Sequence, residues 1–244
     1  MPKAIRANPR APTICCTRPG ATGSSLVAVI VRENASQAIW CGQSDDGLTY
    51  VEMALVRNER LTATERASLH TLRARALAKL HRVQDCLTAV GAADEAFAHA
   101  NPAVDPPWMA FYDHAQHQGD TGHALFDLSI YGRRTQAAQR LVYSVAHHAP
   151  AFARSRAISR TKLASLLMAT GDPRQAAAIG QKALDSAGSL RSRRAIDDLW
   201  ELRKVTFAVQ MAGERPDIAE QARYRLACVR GECGPRPWGW TGVP

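Results

Sequence analysis

Residues 157–188 read AISRTKLASLLMATGDPRQAAAIGQKALDSAG, and this stretch decides the fold. Leu163, Ala164 and Leu167 recur at helical spacing before Gly171-Asp172, and Ala176, Gly180, Ala183 and Leu184 do so after it. Two amphipathic helices joined by so short a break form an antiparallel hairpin with small residues at the crossing. A hairpin of this kind cannot bury its apolar face alone and stacks on neighbours built the same way.

The phrase recurs along the chain. Aligned on their turns, five copies fall at Gly42, His81, Gly119, Gly171 and Gly213, with separations of 39, 38, 52 and 42 residues. These exceed the ~34 residues of an ideal tetratricopeptide unit. Long helices, slack loops and one inserted helix, over residues 134–148, are therefore expected. In the first unit Ala35, Ala38 and Trp40 lead to Gly42, and Leu48, Val51, Ala54 and Leu55 follow. The second spans about residues 63–100, with Thr62 or Thr64 as N-cap and Ala74, Leu77, Cys86, Val90 and Ala93 at packing positions. The third opens at Pro106-Pro107-Trp108, proline being favourable at the first helical positions, and turns at Gly119-Asp120. A last pair covers about residues 192–212 and 216–229, with Leu199, Leu202 and Val205 as core residues. The expected fold is all-α: a tetratricopeptide-like helical-hairpin solenoid of about ten helices over residues 26–230. Residues 1–25 and 231–244 lack helical periodicity and are expected as disordered tails.

Composition agrees. Hydrophobic residues make up 46% of the 244, ample for a core, while aromatics are only 6% and alanine dominates. The six cysteines show no C-x-x-C pair, and the apolar run at residues 26–31 is too short for a secretory core or a membrane span. A reduced, cytoplasmic protein without a membrane partner is expected.

Five segments carry a family resemblance: residues 105–113 (DPPWMAFYD), 119–125 (GDTGHAL), 154–160 (RSRAISR), 168–173 (MATGDP) and 192–199 (SRRAIDDL). In combination they resemble the C-terminal tetratricopeptide-like region of actinobacterial helix-turn-helix transcriptional regulators of the XRE type. The resemblance implies a repeat region that senses a protein, peptide or small ligand and often dimerises, downstream of a DNA-binding domain. Residues 1–43 show no helix-turn-helix pattern: there are no two short amphipathic helices and no central turn glycine. The expected function is a non-catalytic regulatory module whose partner is a protein or peptide, a DNA-binding regulator included, with homodimerisation open and direct DNA binding not expected. A truncated regulator remnant is a further reading.

In stacked hairpins the first helix of each pair lines the inner groove. Counting from the turns places Thr71, Arg75 and Lys79 there, with Met109, Asp113, Gln116 and His117 from the third unit and Ile158, Thr161, Ser165 and Met168 from the fourth. A groove mixing polar groups with Met suits an extended peptide or a helix. The net charge is +9, and residues 128–171 contain Arg133, Arg134, Arg140, Arg154, Arg156, Arg160 and Lys162 without one Asp or Glu. Such a basic patch is the alternative site, for nucleic acid bound by charge. No metal is expected: Asp113, His114, His117, Asp120 and His123 match no zinc-binding spacing. No cofactor or catalytic role is expected either, because there is no Gly-x-Ser-x-Gly elbow and Gly20–Ser25 lacks a P-loop lysine.

Overall fold

The computed structural model describes residues 23–130, 135–170, 172–187 and 192–214. They form α1 (Gly23–Trp40), α2 (Ser44–Leu55), α3 (Ala63–Lys79), α4 (Val83–Ala98), α5 (His114–Ile130), α6 (Ala137–His147), α7 (Ala153–Thr170), α8 (Pro173–Ala187) and α9 (Arg193–Glu214), with three short 3-10 turns and no strand among the described residues. The tails, apart from the first turn of α1, and the helix expected over residues 216–229 lie outside the described residues. α1 begins three residues inside the segment that composition assigned to a tail.

Local chemistry sets the helix ends. Thr62 caps α3 through a reciprocal box: its hydroxyl accepts from the Glu65 N–H at 3.3 Å, and its own N–H donates to Glu65 Oε2 at 2.9 Å. Asp113 caps α5 by accepting from the Gln116 N–H at 2.8 Å, and Asp172 caps α8 by accepting from Gln175 at 2.9 Å. The C-terminal ends of α1, α3 and α7 share one device. Gln43 N–H reaches back to Ala38 O, Arg82 N–H to Leu77 O and Asp172 N–H to Leu167 O, at 2.9, 2.9 and 3.0 Å. This six-to-one bond needs a left-handed residue, and Gly42 at φ 86° and His81 at φ 59° supply it.

Consecutive helices pair as α1 with α2, α3 with α4, α5 with α6 and α7 with α8, while α1, α3, α5, α7 and α9 touch in series. The core between them is built largely from small side chains. Ala35, Ala74, Ala76, Ala89, Ala124 and Ala137 are fully buried around Val51, Leu69, Leu77, Cys86 and Leu128, so the helix axes approach closely. No helix among the described residues is long and apolar enough to cross a membrane.

The third hairpin corrects the expected one. Gly119-Asp120 is not a turn; α5 runs through it to Ile130. A Cβ at Gly119 would come 2.5 Å from Ser144 Oγ and 3.1 Å from Ser159 Oγ, and one at Gly122 would come 3.1 Å from Leu141 Cγ. These glycines let α6 and α7 cross α5 at close range. The helix expected as an insertion is therefore α6, the partner of α5. Pro107–Met109 forms a 3-10 turn before α5, which carries Met109 into a satellite core with Ala67 and Tyr112. Gly213 is helical, next to the last described residue of α9, and the turn expected there lies outside the described residues.

Candidate functional site

One face of each odd-numbered helix borders a cavity of about 550 Å³. α1 contributes Arg32, Ser36 and Trp40; α3, Leu72, Arg75 and Lys79; α5, Gln116, Asp120, His123 and Asp127; α7, Arg154, Ile158, Ser159 and Lys162; and α9, Arg194, Asp198 and Glu201. Intervals of three and four residues within each helix place these side chains in rows. A smaller cavity of about 240 Å³ adjoins it, sharing Lys79, Asp127, Lys162, Asp198 and Glu201 and adding Phe126, Ser165 and Val205.

Charges bridge neighbouring walls. Lys79 Nζ on α3 donates to Asp127 on α5 at 2.7 Å, and Lys162 Nζ on α7 donates to Asp198 on α9 at 2.9 Å. Burial disfavours the charged Lys162, but Asp198 and Asp127 outweigh it and raise its pKa above the ordinary value. The same ammonium lies 4.7 Å from the centre of the Phe126 ring. On α1, Arg32 donates to Ser68 Oγ at 2.6 Å and lies over the Phe111 ring. Arg194 on α9 crosses to α1, donating to Ser36 O at 3.1 Å and lying over the Trp40 ring at 5.6 Å. Burial, with the Arg75 charge next, brings the Arg194 pKa down to about 10. Burial, and next the charges of Arg75 and Lys162, push the His123 pKa well below its ordinary value.

Asp120, His123 and Ser159 stand in a row whose residue types belong to nucleophilic catalysis. Ser159 Oγ is 3.3 Å from His123 Nε2, and His123 Nδ1 is 3.9 Å from Asp120 Oδ1, beyond hydrogen-bond reach. Ser159 is 1% exposed, and it sits in the interior of α7 where backbone N–H groups are committed to the helix. Ser159 borders the cavity with its side chain almost wholly buried, and the row presents no free backbone oxyanion donors. Among the described residues no group of three or more His, Cys, Asp or Glu is arranged to hold a metal ion.

Of the residues expected in the groove, Arg75, Lys79, Gln116 and Ile158 line the cavity, and Ser165 lines its smaller neighbour. The others do not. Met109 is core, Asp113 is the α5 cap, and Thr161 is buried with its hydroxyl on Ala157 O. Thr71 is buried too, its hydroxyl 2.8 Å from Tyr112 Oη, and Met168 is half-buried near the end of α7, away from the cavity. His117 faces α4, where its Nε2 meets Asp94 Oδ1 at 2.8 Å and its ring stacks on Phe97 at 4.3 Å.

The expected basic patch is not one surface. Arg140 points inward, donating to Asp94 Oδ1 at 2.9 Å and to Asp94 Oδ2 and Thr121 Oγ1. Arg160 donates to Lys182 O and Ser186 Oγ, Arg156 is half-buried, and Arg154 and Lys162 belong to the cavity. Arg133 and Arg134 lie outside the described residues. The contiguity of these cations in sequence disperses because helix geometry turns residues two apart to different sides. Conversely, Trp40, Asp127, Arg194 and Asp198 line the cavity without having been expected there, although Asp120 and Asp127, like Arg194 and Asp198, keep the i, i+4 and i+7 rhythm of a shared helix face.

No protein-family model, curated protein or solved structure matches the chain.

Proposed function

We propose that the chain is a tetratricopeptide-like solenoid acting as a non-catalytic regulatory or protein-interaction module related to transcriptional control, and that its ligand or partner occupies the groove between the odd-numbered helices. The observation that supports this most is the cavity itself: about 550 Å³, within the range of ligand sites, and walled by α1, α3, α5, α7 and α9. Its wall-to-wall contacts suit a responsive module. Lys79–Asp127 and Lys162–Asp198 each tie one hairpin to the next, so an occupant that engages either pair favours one inter-hairpin angle over another. Occupancy shifts curvature only by the difference in affinity for the two arrangements, and that difference is transmitted to a partner surface on the outer helices.

The test is affinity capture from the cognate lysate, with and without nuclease, using the wild type and Ser155→Trp. Ser155 borders the cavity and makes no charge contact, so an indole there fills space without removing a charge. A DNA-binding protein or a defined ligand that the wild type recovers and Ser155→Trp loses is the expected result. Recovery unchanged by Ser155→Trp, or of nuclease-sensitive nucleic acid alone, would overturn the reading.

A further inference from the structure

The cavity's lining carries six cations and six carboxylates, but its ion pairs leave three of the cations over. Five of its carboxylates are matched by cations: Asp127 by Lys79, Asp198 by Lys162, Asp197 by Arg193, Glu201 by Lys204 and Glu33 by Arg32. The sixth, Asp120, accepts from the Gln116 amide at 2.9 Å. Three guanidinium groups remain without an ion-paired carboxylate among the described residues, although the charges of Asp120 and Asp198 act on Arg194. Arg75 and Arg154 make no hydrogen bond or ion pair there, and Arg194 has only the neutral Ser36 and the Trp40 ring. Arg75 is central: its charge acts on His123 of α5, Lys162 of α7 and Arg194 of α9. Because Arg193 and Lys204 pair Asp197 and Glu201 from outside the lining, three guanidiniums of the cavity face one carboxylate, Asp120, that no Lys or Arg pairs. Like charges held together in a half-enclosed space are costly unless an anion joins them.

We propose that the cavity binds a small dianion, its charged end held between Arg75, Arg154 and Arg194 and its carbon body against Trp40 and Ile158. The planar guanidinium donors suit a phosphate monoester or paired carboxylates, each able to accept bidentate bonds. Trp40 and Ile158 supply the apolar wall that a free inorganic ion would leave unused. Because Arg194 already contacts both Trp40 and Ser36, the anion docks where α1 and α9 meet and adds a charged centre to that contact. The inference rests on the groove reading above and names the chemistry of its occupant.

The test titrates the full chain with phenyl phosphate and with phthalate at low salt, following tryptophan emission and heat of binding, with benzyl alcohol as the uncharged control. Saturable binding of either dianion is expected, at least tenfold tighter than benzyl alcohol, with an emission change that Trp40→Phe removes. Preference for phenyl phosphate assigns the phosphate source, and preference for phthalate the carboxylate one. Arg75→Ala should weaken binding at least tenfold and Arg75→Lys several-fold, whereas Arg57→Ala, exposed and outside the cavity, should leave it unchanged. Circular dichroism establishes that each variant is folded. Equal weakening by Arg75→Ala and Arg57→Ala, or no preference for the dianions over benzyl alcohol, would overturn the proposal. A groove-dependent partner recovered alongside failed dianion binding sinks this inference alone; dianion binding without such a partner sinks the groove reading and leaves the site.

Discussion

Asp94→Ala should destabilise the fold by about 2–3 kcal/mol, and the reason lies outside the cavity. Asp94 on α4 accepts from His117 on α5 and from both terminal nitrogens of Arg140 on α6. The Arg140 side chain is 11% exposed and that of His117 2%, so removing the carboxylate leaves a buried guanidinium with only Thr121 and a buried imidazole without its Nε2 partner. Breaking a buried pair from one side costs about 3–5 kcal/mol. Asp94 is itself 38% exposed, and water reaching that side screens the loss to the lower figure. For a chain of this size the loss corresponds to a Tm lowered by roughly 4–12 °C. Urea unfolding at pH 7, followed by circular dichroism, measures it as a lower midpoint at unchanged slope. Adding Arg140→Met should recover about 1–2 kcal/mol, because the stranded charge is gone. The carboxyl responds to burial, which pushes its pKa up, and to the stronger opposing hydrogen bonds and charges of His117 and Arg140, which hold it well below the ordinary range. Its contribution is therefore complete above the unfolded value of ~3.9 and fades as pH falls through the folded one, so wild type and Asp94→Asn should converge in acid. An Asp94→Ala loss under about 0.5 kcal/mol, or strict additivity with Arg140→Met, would refute this account.

Gly119→Ala should cost about 1–2 kcal/mol despite the better helix propensity of alanine, since its Cβ meets the Ser144 hydroxyl. Chemical denaturation of Gly119→Ala/Ser144→Ala should show part of that loss restored; no restoration would mean that the crossing is not what the glycine serves. Gly42→Ala has open space around the added methyl, so its expected loss of about 1–2 kcal/mol is wholly the left-handed backbone, and Gly42→Asn should lose less. Burial, with the Asp127 charge beside it, pushes the Cys86 thiol up to about 12. Peptide mapping after iodoacetamide treatment at pH 8 should therefore find the exposed Cys41 alkylated and Cys86 intact, and rapid Cys86 labelling in the native state would contradict its burial.

How much was legible in the sequence depended on how far the deciding residue lay from its partner. Thr62 and Glu65 are three positions apart and announce the start of α3; the turns at Gly42 and His81 depend on bonds spanning five residues. Gly119-Asp120 carries the same letters as the break at Gly171-Asp172, yet its role is set by Ser144 and Ser159, which come from two other helices. Nothing within a few residues distinguishes a glycine that turns a chain from one that admits a neighbour. The groove shows the same limit. Counting along one helix finds Arg75 and Lys79, whereas Lys162 reads as part of a basic run because its carboxylate, Asp198, is 36 positions away. His117 and Met109 were misplaced for a related cause: once α5 starts at His114, one lies on its α4 side and the other precedes it.

The bond from Arg194 to Ser36 spans 158 positions, while Lys79–Asp127 and Lys162–Asp198 span 48 and 36. Neighbour-to-neighbour pairing of this kind gives a low contact order, so the row of hairpins should assemble rapidly and piecewise. Joining α1 to α9 closes a loop several times longer, at an extra entropic cost of about 1 kcal/mol. That closure belongs late on the folding route, after the hairpins are docked. Interrupting it by Arg194→Ala should consequently leave the refolding rate nearly unchanged and quicken unfolding, the kinetic mark of a contact absent from the transition state.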